Sequence, residues 1–306
     1  MEKPLVAAGH LLYLISFVWD GNNNYFEKTM EAKDLRFFLD SGAFTAWSSG
    51  KPIDLDEYCE FIRHNIEYLD VYAALDCIPG SKDRPASAKE REEAAALSWK
   101  NYLYMRDQGL NPLPVYHYGE DPKWLEQMLD YGCDYIALGA LVGIPSQLRR
   151  HWLDRVFTRL TDETGRPIVK THGFGMTAIP LIFRYPWYSV DSTSWLKATM
   201  SGGVYLPATD GDGKFVFDRT PYVVPVSSGV PGKDETTRVP LITTQGDGIM
   251  GLLQRWLGEC GVTFEQCSAD YYYRAIANVT YFKRVSLEKA DRPFSDRIVT
   301  QGRFFG

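Results

Sequence analysis

Residues 35–47, LRFFLDSGAFTAW, set five residues of strand character directly before Asp40, Ser41 and Gly42, with no turn signal between them. An apolar run that ends on a carboxylate, a hydroxyl and a glycine is how a buried parallel strand delivers a polar side chain to the open edge of its sheet. The glycine lets the backbone pass close to whatever lies there. Two later stretches repeat the plan: 71–75 runs into Asp76, and 188–190 runs into Asp191. Helical patterning separates the three. They point to three carboxylates converging on one site.

The rest of the chain alternates in the same way. Strands are expected at 11–18, 35–39, 71–75, 113–118, 135–138, 168–171 and 188–190. A helix capped by Asp54 or Asp56 is expected to run to about residue 69, with further helices at 86–108, 122–131, 146–160 and 176–183. Repeats of roughly 30 to 40 residues of this kind predict a parallel sheet with crossover helices. A (β/α)8 TIM-type barrel, complete or slightly degenerate, is the expected α/β fold. An open doubly wound sheet is the alternative, but it would want a glycine-rich phosphate turn after its first strand. Gly173-Phe174-Gly175 follows a strand yet lacks a third glycine and an acidic partner.

Beyond about residue 200 the character changes, so the expected organisation is a catalytic core at 1–200 and an extension at 201–306. The extension reads as a hairpin at 202–217 turning at Asp210-Gly211-Asp212-Gly213, an irregular Pro/Gly/Ser/Thr-rich excursion at 221–244, and helices at 248–257 and 264–283. Tyr271-Tyr272-Tyr273 with Arg274 reads either as a helix face packing on the core or as a stacking clamp for a nucleic acid strand. The tail from Asp270 is locally basic and reads either as a set of contacts to phosphates or as a solvated terminus.

A formal net charge of −6 excludes a uniformly basic coating protein while allowing a local basic groove. The five cysteines are scattered, none forms a CxxC pair, and no histidine follows His172, which reads as reduced thiols with neither a disulfide frame nor a zinc site. Without a signal-peptide pattern or an apolar run of bilayer length, the expected location is the cytoplasm, with no membrane partner.

In a parallel barrel the strand ends share one face, so Asp40, Asp76, His117, Gly139, His172 and Asp191 would surround one pocket. Glycosidic-bond chemistry suits such a site, one carboxylate attacking the anomeric carbon while another manages a proton. Sugar-phosphate chemistry is a second option. A barrel that binds without catalysing is a third.

LDSGAF at 39–44 resembles the Asp-Ser-Gly-Gly-Phe-Gln motif of the tRNA-guanine transglycosylase family. The likeness continues in order through DVYAALDCIPG (70–80), VYHYG (115–119), YIALGALVG (135–143), HGFG (172–175) and VDSTSW (190–195). The resemblance implies Asp191 as the nucleophile on C1′ of the target nucleotide and Asp40 as the group that handles protons on the departing and incoming base. It implies that Asp76 pairs with the purine edge and that Ser41, Gly42 and Phe44 belong to the base site. Gly139, Ala140 and Leu141 would line the base, with His172 and Gly173 alongside, and His117 or Tyr118 would replace the family's base-contacting glutamine. The nucleotide would be flipped from its stack to reach them.

The departures from the family also carry meaning. The zinc-binding Cys-x-Cys-x-x-Cys and histidine that follow the family's nucleophile are absent, Ala43 and Ala140 replace motif glycines, and Thr45 replaces the motif glutamine. The chain therefore looks most like the divergent, often virus-encoded relatives that exchange guanine in DNA for a 7-deazaguanine. The expected partners are DNA, with tRNA as the alternative, and a 7-deazaguanine base. No cofactor is expected, and a homodimer is left open.

Overall fold

The apolar runs that end on acids are strands, and they are parallel. In the computed structural model, which describes residues 12–20, 36–81, 84–228 and 247–290, β1 (Leu12–Ser16), β2 (Arg36–Asp40) and β3 (Leu69–Tyr72) form one parallel sheet. A second parallel sheet holds β4 (Val115–His117), β5 (Tyr135–Gly139), β6 (Lys170–Gly173) and β7 (Ser189–Val190) in that order. A parallel bridge between Ala73 and Leu113 joins them: the Leu113 N–H donates to the Tyr72 carbonyl and the Ala74 N–H to the Leu113 carbonyl, each at 2.8 Å.

This run of strands is strongly curled. In a flat sheet four strand spacings would hold β2 and β6 roughly 19 Å apart. Instead the Phe38 ring centroid lies 4.5 Å from that of His172 and 5.8 Å from that of Phe174. The same inner face carries Ala73, Leu113, Val115 and Ala137 as a buried cluster against which Phe38 and Phe174 pack. Strand periodicity puts Asp40 on the face of Phe38, His117 on that of Val115 and Gly139 on that of Ala137. The fold is mixed α/β with parallel sheets, and no ladder joins β7 to β1 among the described residues.

The helices start where local chemistry places them. α1 (Phe17–Asp20) follows β1, and α2 (Ala43–Ser49) follows β2. Asp54 caps α3 (Leu55–His64) by accepting from the Asp56 and Glu57 N–H groups, and Ser87 with Glu90 forms a capping box for α4 (Ala88–Asp107). Asp121 caps α5 (Pro122–Asp130), which has proline at its first position, and α6 (Ser146–Leu160) follows β5. Leu125, Leu153 and Phe157 are fully enclosed. Each such side chain contributes about 1.5–3 kcal/mol by leaving water.

The chain packs as two units. The one just described comprises residues 12–176 and 186–191; the other holds 177–185 and 192–290 as far as they are described. The second contains α7 (Ile179–Arg184), α8 (Ser194–Met200), β8 (Gly203–Leu206), β9 (Ala208–Thr209), β10 (Phe215–Val216), β11 (Tyr222–Pro225), α9 (Asp247–Glu259), α10 (Phe264–Ala269) and α11 (Tyr271–Ala290). Its polar centre is Asn278, which is fully buried: Nδ2 donates to the Gly203 carbonyl at 3.0 Å and to Thr199 Oγ1 at 2.9 Å, while Oδ1 accepts from the Tyr205 N–H at 2.8 Å. One side chain thereby ties α11 to α8 and β8 with its amide satisfied.

Several expectations need correction. Residues 43–49 form α2, a helix the sequence pattern does not predict, entered through a left-handed Gly42 (φ 80°). The helix after Asp54 ends at His64, and Leu69 already belongs to β3. The strand expected at 168–171 lies two residues later, and the helix expected at 176–183 begins at Ile179. The hairpin is split into two ladders: β9 pairs with β10 around the Asp210 turn, while β8 pairs with β11, which lies inside the segment expected to be irregular. The helix expected over 264–283 breaks at Asp270, which is extended and whose carboxylate accepts from the Tyr272 N–H to start α11. Arg274 is buried, its Nε donating to the Thr199 carbonyl and its Nη1 to the Cys267 carbonyl, so it clamps no phosphate. Residues 1–11, the excursion beyond 228 up to 246, and the part of the basic tail beyond 290 lie outside the described residues. Among the described residues no helix is long and apolar enough to cross a membrane.

Candidate active site

Asp40 is the last residue of β2, opposite Ser16 of β1 in the parallel register. Its Oδ2 accepts from the Gly42 N–H at 3.3 Å. Burial first, and then the charges of Asp76 and Asp191, push its carboxyl up to about 7 against the opposing pull of the Gly42 and Ser41 N–H groups. A carboxyl at that value exchanges a proton near neutral pH. Gly42 is needed where it stands: a Cβ there would lie 2.5 Å from Val18 Cγ2 and 2.6 Å from Ser16 Oγ.

Asp76 lies just past the Ala73 bridge and is held on both oxygens. Oδ1 accepts from the Ser41 hydroxyl at 2.9 Å, and Oδ2 accepts from His117 Nε2 at 2.8 Å. The other ring nitrogen of His117, Nδ1, donates to Glu120 Oε1 at 2.8 Å, and the His117 backbone N–H donates to Glu120 Oε2 at 3.1 Å. Burial works against a charged ring here, but the hydrogen bonds to Asp76 and Glu120 outweigh it and raise His117 to about 10. His117 is therefore a cation at neutral pH, with a carboxyl group on each ring nitrogen. Gly139 faces His117 across the β4–β5 ladder, and a Cβ there would come within 2.7 Å of His117 Cδ2. The glycine is the space that the imidazole occupies.

Asp191 follows β7 and is held from the turn after β6. Its Oδ1 accepts from the Gly175 N–H at 2.8 Å, and its own N–H donates to the Gly173 carbonyl at 3.3 Å. His172 Nε2 lies 3.4 Å from the same Oδ1 without completing a hydrogen bond. His172 is buried between the rings of Phe38 and Phe174, and its Nδ1 is 2.6 Å from Ser189 Oγ. Ser189 Oγ is also 2.6 Å from the Tyr135 hydroxyl.

The three aspartates thus share one electrostatic neighbourhood, since Asp40 responds to both of the others. His117 has both ring nitrogens engaged and is buried, so it acts on a ligand only through Asp76. Ser41 is likewise buried and spends its hydroxyl on Asp76. Phe44 is exposed on α2 with its ring near Trp47, and the Tyr118 ring packs against Trp152 while its N–H donates to the Gly139 carbonyl. Ala140 takes a left-handed backbone (φ 57°) that a glycine would adopt more easily, and Leu141 is buried with its carbonyl accepting from Arg149. Gly173 leaves room for Trp187 and Met176. His64 and His151 are exposed, as surface residues should be, and His10 lies outside the described residues.

Three members of the site escape a reading of the sequence: Glu120, Ser189 and Tyr135. Glu120 stands three residues after His117 across a Tyr-Gly turn, and Ser189 stands two residues before Asp191, on the same strand face. Those spacings are the only local signals. Neither the protein-family models nor the curated proteins compared with this chain give a match.

Proposed function

We propose that the protein is a base-exchanging transglycosylase that replaces guanine in nucleic acid with a 7-deazaguanine through a covalent aspartyl-nucleotide intermediate. The proposal takes the curled run of parallel strands as the greater part of a (β/α)8 barrel, with the site at the C-terminal edge of its strands. The observation that carries it is the meeting of Asp40, Asp76 and Asp191, from the ends of three separated strands, with Asp40 pushed up to about 7.

In this reading Asp191 Oδ1 is held by the Gly175 N–H, and Oδ2 attacks C1′. The C1′–N9 bond breaks, its electron pair goes to the departing guanine, and Asp40 supplies the proton that makes that base neutral. The incoming base then gives its N9 proton to Asp40 and attacks C1′, and the bond from C1′ to Asp191 breaks with its electrons returned to the carboxylate. Two displacements at one carbon give retention. Asp76, held by Ser41 and His117, has lone pairs left on both oxygens to accept from the N–H groups of a guanine-like edge.

DNA is preferred to tRNA as substrate because the chain resembles the transglycosylases that lack the zinc-binding segment. The test is incorporation of radiolabelled guanine into duplex or single-stranded DNA and, in parallel, into tRNA. The expected result is label in DNA, lost in Asp191→Asn at unchanged thermal stability. A wild-type protein that labels neither polymer overturns the reading.

A further inference from the structure

We propose that Tyr135 and Ser189 form a hydroxyl relay that places the His172 ring proton on Nε2, making His172 a positioning residue for Asp191. The inference rests on the reading of Asp191 as the nucleophile and deepens it.

The argument is one of counting protons. Ser189 Oγ lies 2.6 Å from both the Tyr135 hydroxyl and His172 Nδ1, and each hydroxyl has one proton to give. If Tyr135 donates to Ser189 and Ser189 donates to Nδ1, both short contacts are satisfied and the ring proton sits on Nε2. That proton then points at Asp191 Oδ1, 3.4 Å away. The reverse order would place a bare Nε2 lone pair against a carboxylate oxygen and send the Tyr135 proton outward. Nε2 is buried, and at 3.4 Å an N–H is attracted to the carboxylate oxygen where a bare lone pair is repelled by it.

The three residues come from consecutive strands, β5, β6 and β7, and His172 and Ser189 are direct register partners. The relay is therefore built into the ladder rather than into a loop. Phe38 and Phe174 hold the imidazole ring in place, with centroids at 4.5 and 4.6 Å. Its consequence falls on Asp191. Oδ1 is bonded by the Gly175 N–H at 2.8 Å and faced by the positive end of Nε2–H at 3.4 Å, and together these leave Oδ2 for the sugar carbon. Oδ1 remains an acceptor in both the carboxylate and the ester, so the restraint survives the covalent step. A loss of such orientation acts on the chemical step rather than on binding.

The experiment combines 15N NMR of the His172 ring with exchange kinetics on wild type, Ser189→Ala, Ser189→Thr and Tyr135→Phe. The expected wild-type spectrum has His172 protonated on Nε2 alone, and Ser189→Ala gives a mixture of tautomers with kcat lowered about 10- to 100-fold and KM within about twofold. Ser189→Thr, which keeps the hydroxyl, restores both. A wild-type ring protonated on Nδ1, or a Ser189→Ala ring that stays on Nε2 with unchanged kcat, overturns the relay. The tautomer readout needs no turnover, so it decides the relay even if the exchange reading itself fails.

Discussion

His117 and His172 occupy equivalent places, each buried on the inner face near the C-terminal end of its strand, yet their surroundings are opposite in kind. His117 has a carboxylate on each ring nitrogen and is raised to about 10, so it is a fixed cation that gathers Asp76 and Glu120. His172 has a hydroxyl on one nitrogen, a single carboxylate near the other, and aromatic rings on its faces. The strand places the ring; the partner on its far nitrogen decides whether it carries charge or direction. In the proposed function, one half of the site would then be an electrostatic fixture for the base, and the other an aiming device for the nucleophile.

The largest way to break the comparison is His117→Gln, which leaves two buried carboxylates without their shared cation. We expect a loss of about 3–5 kcal/mol in urea unfolding at pH 7. His172→Gln should cost about 1–3 kcal/mol, as for lost neutral contacts. Equal costs would erase the distinction. The sign with pH follows from the raised value: the stability contributed by His117 is full below about 6.5 and is lost as pH rises through about 10. The gap between wild type and His117→Gln should narrow over that range.

Asp40→Asn should move stability the other way. A carboxyl raised to about 7 favours the fold when protonated, and that contribution is lost as pH rises from 3.8 through about 7. The variant should gain on the order of 3 kcal/mol at pH 8 and almost nothing at pH 4, while losing exchange activity. A variant less stable than wild type at pH 8 would mean that Asp40 is not held under the charges of Asp76 and Asp191. The last test is Gly139→Ala, whose methyl meets the His117 ring. A loss of about 1–3 kcal/mol, absent when combined with His117→Gln, would sharpen the link between the glycine and the imidazole.

Asp40, Asp76 and Asp191 were legible in the chain because each closes an apolar run, and burial of a parallel strand leaves a polar group only at its edge. The α6 helix was legible to the residue, since its apolar spacing is unbroken over Ser146–Leu160. The turn into α2 was not, because nothing in Ala43-Phe44-Thr45-Ala46-Trp47 announces a helix until the left-handed Gly42 is known. Ser189 and Tyr135 were hidden for a different reason. Their roles depend on cross-strand register, which brings residue 135 to 189 and 172 to 189. The break at Asp270 hid in a similar way, its carboxylate capping a helix that composition alone would have continued.

The account turns on Asp191 attacking a nucleotide whose base is held by the other two acids. The direct measurement is a denaturing separation of the protein after incubation with a guanine-containing DNA oligonucleotide, with and without added 7-deazaguanine base. The account predicts a protein–DNA adduct that excess base discharges, absent from Asp191→Asn. An adduct undiminished in Asp191→Asn would contradict it.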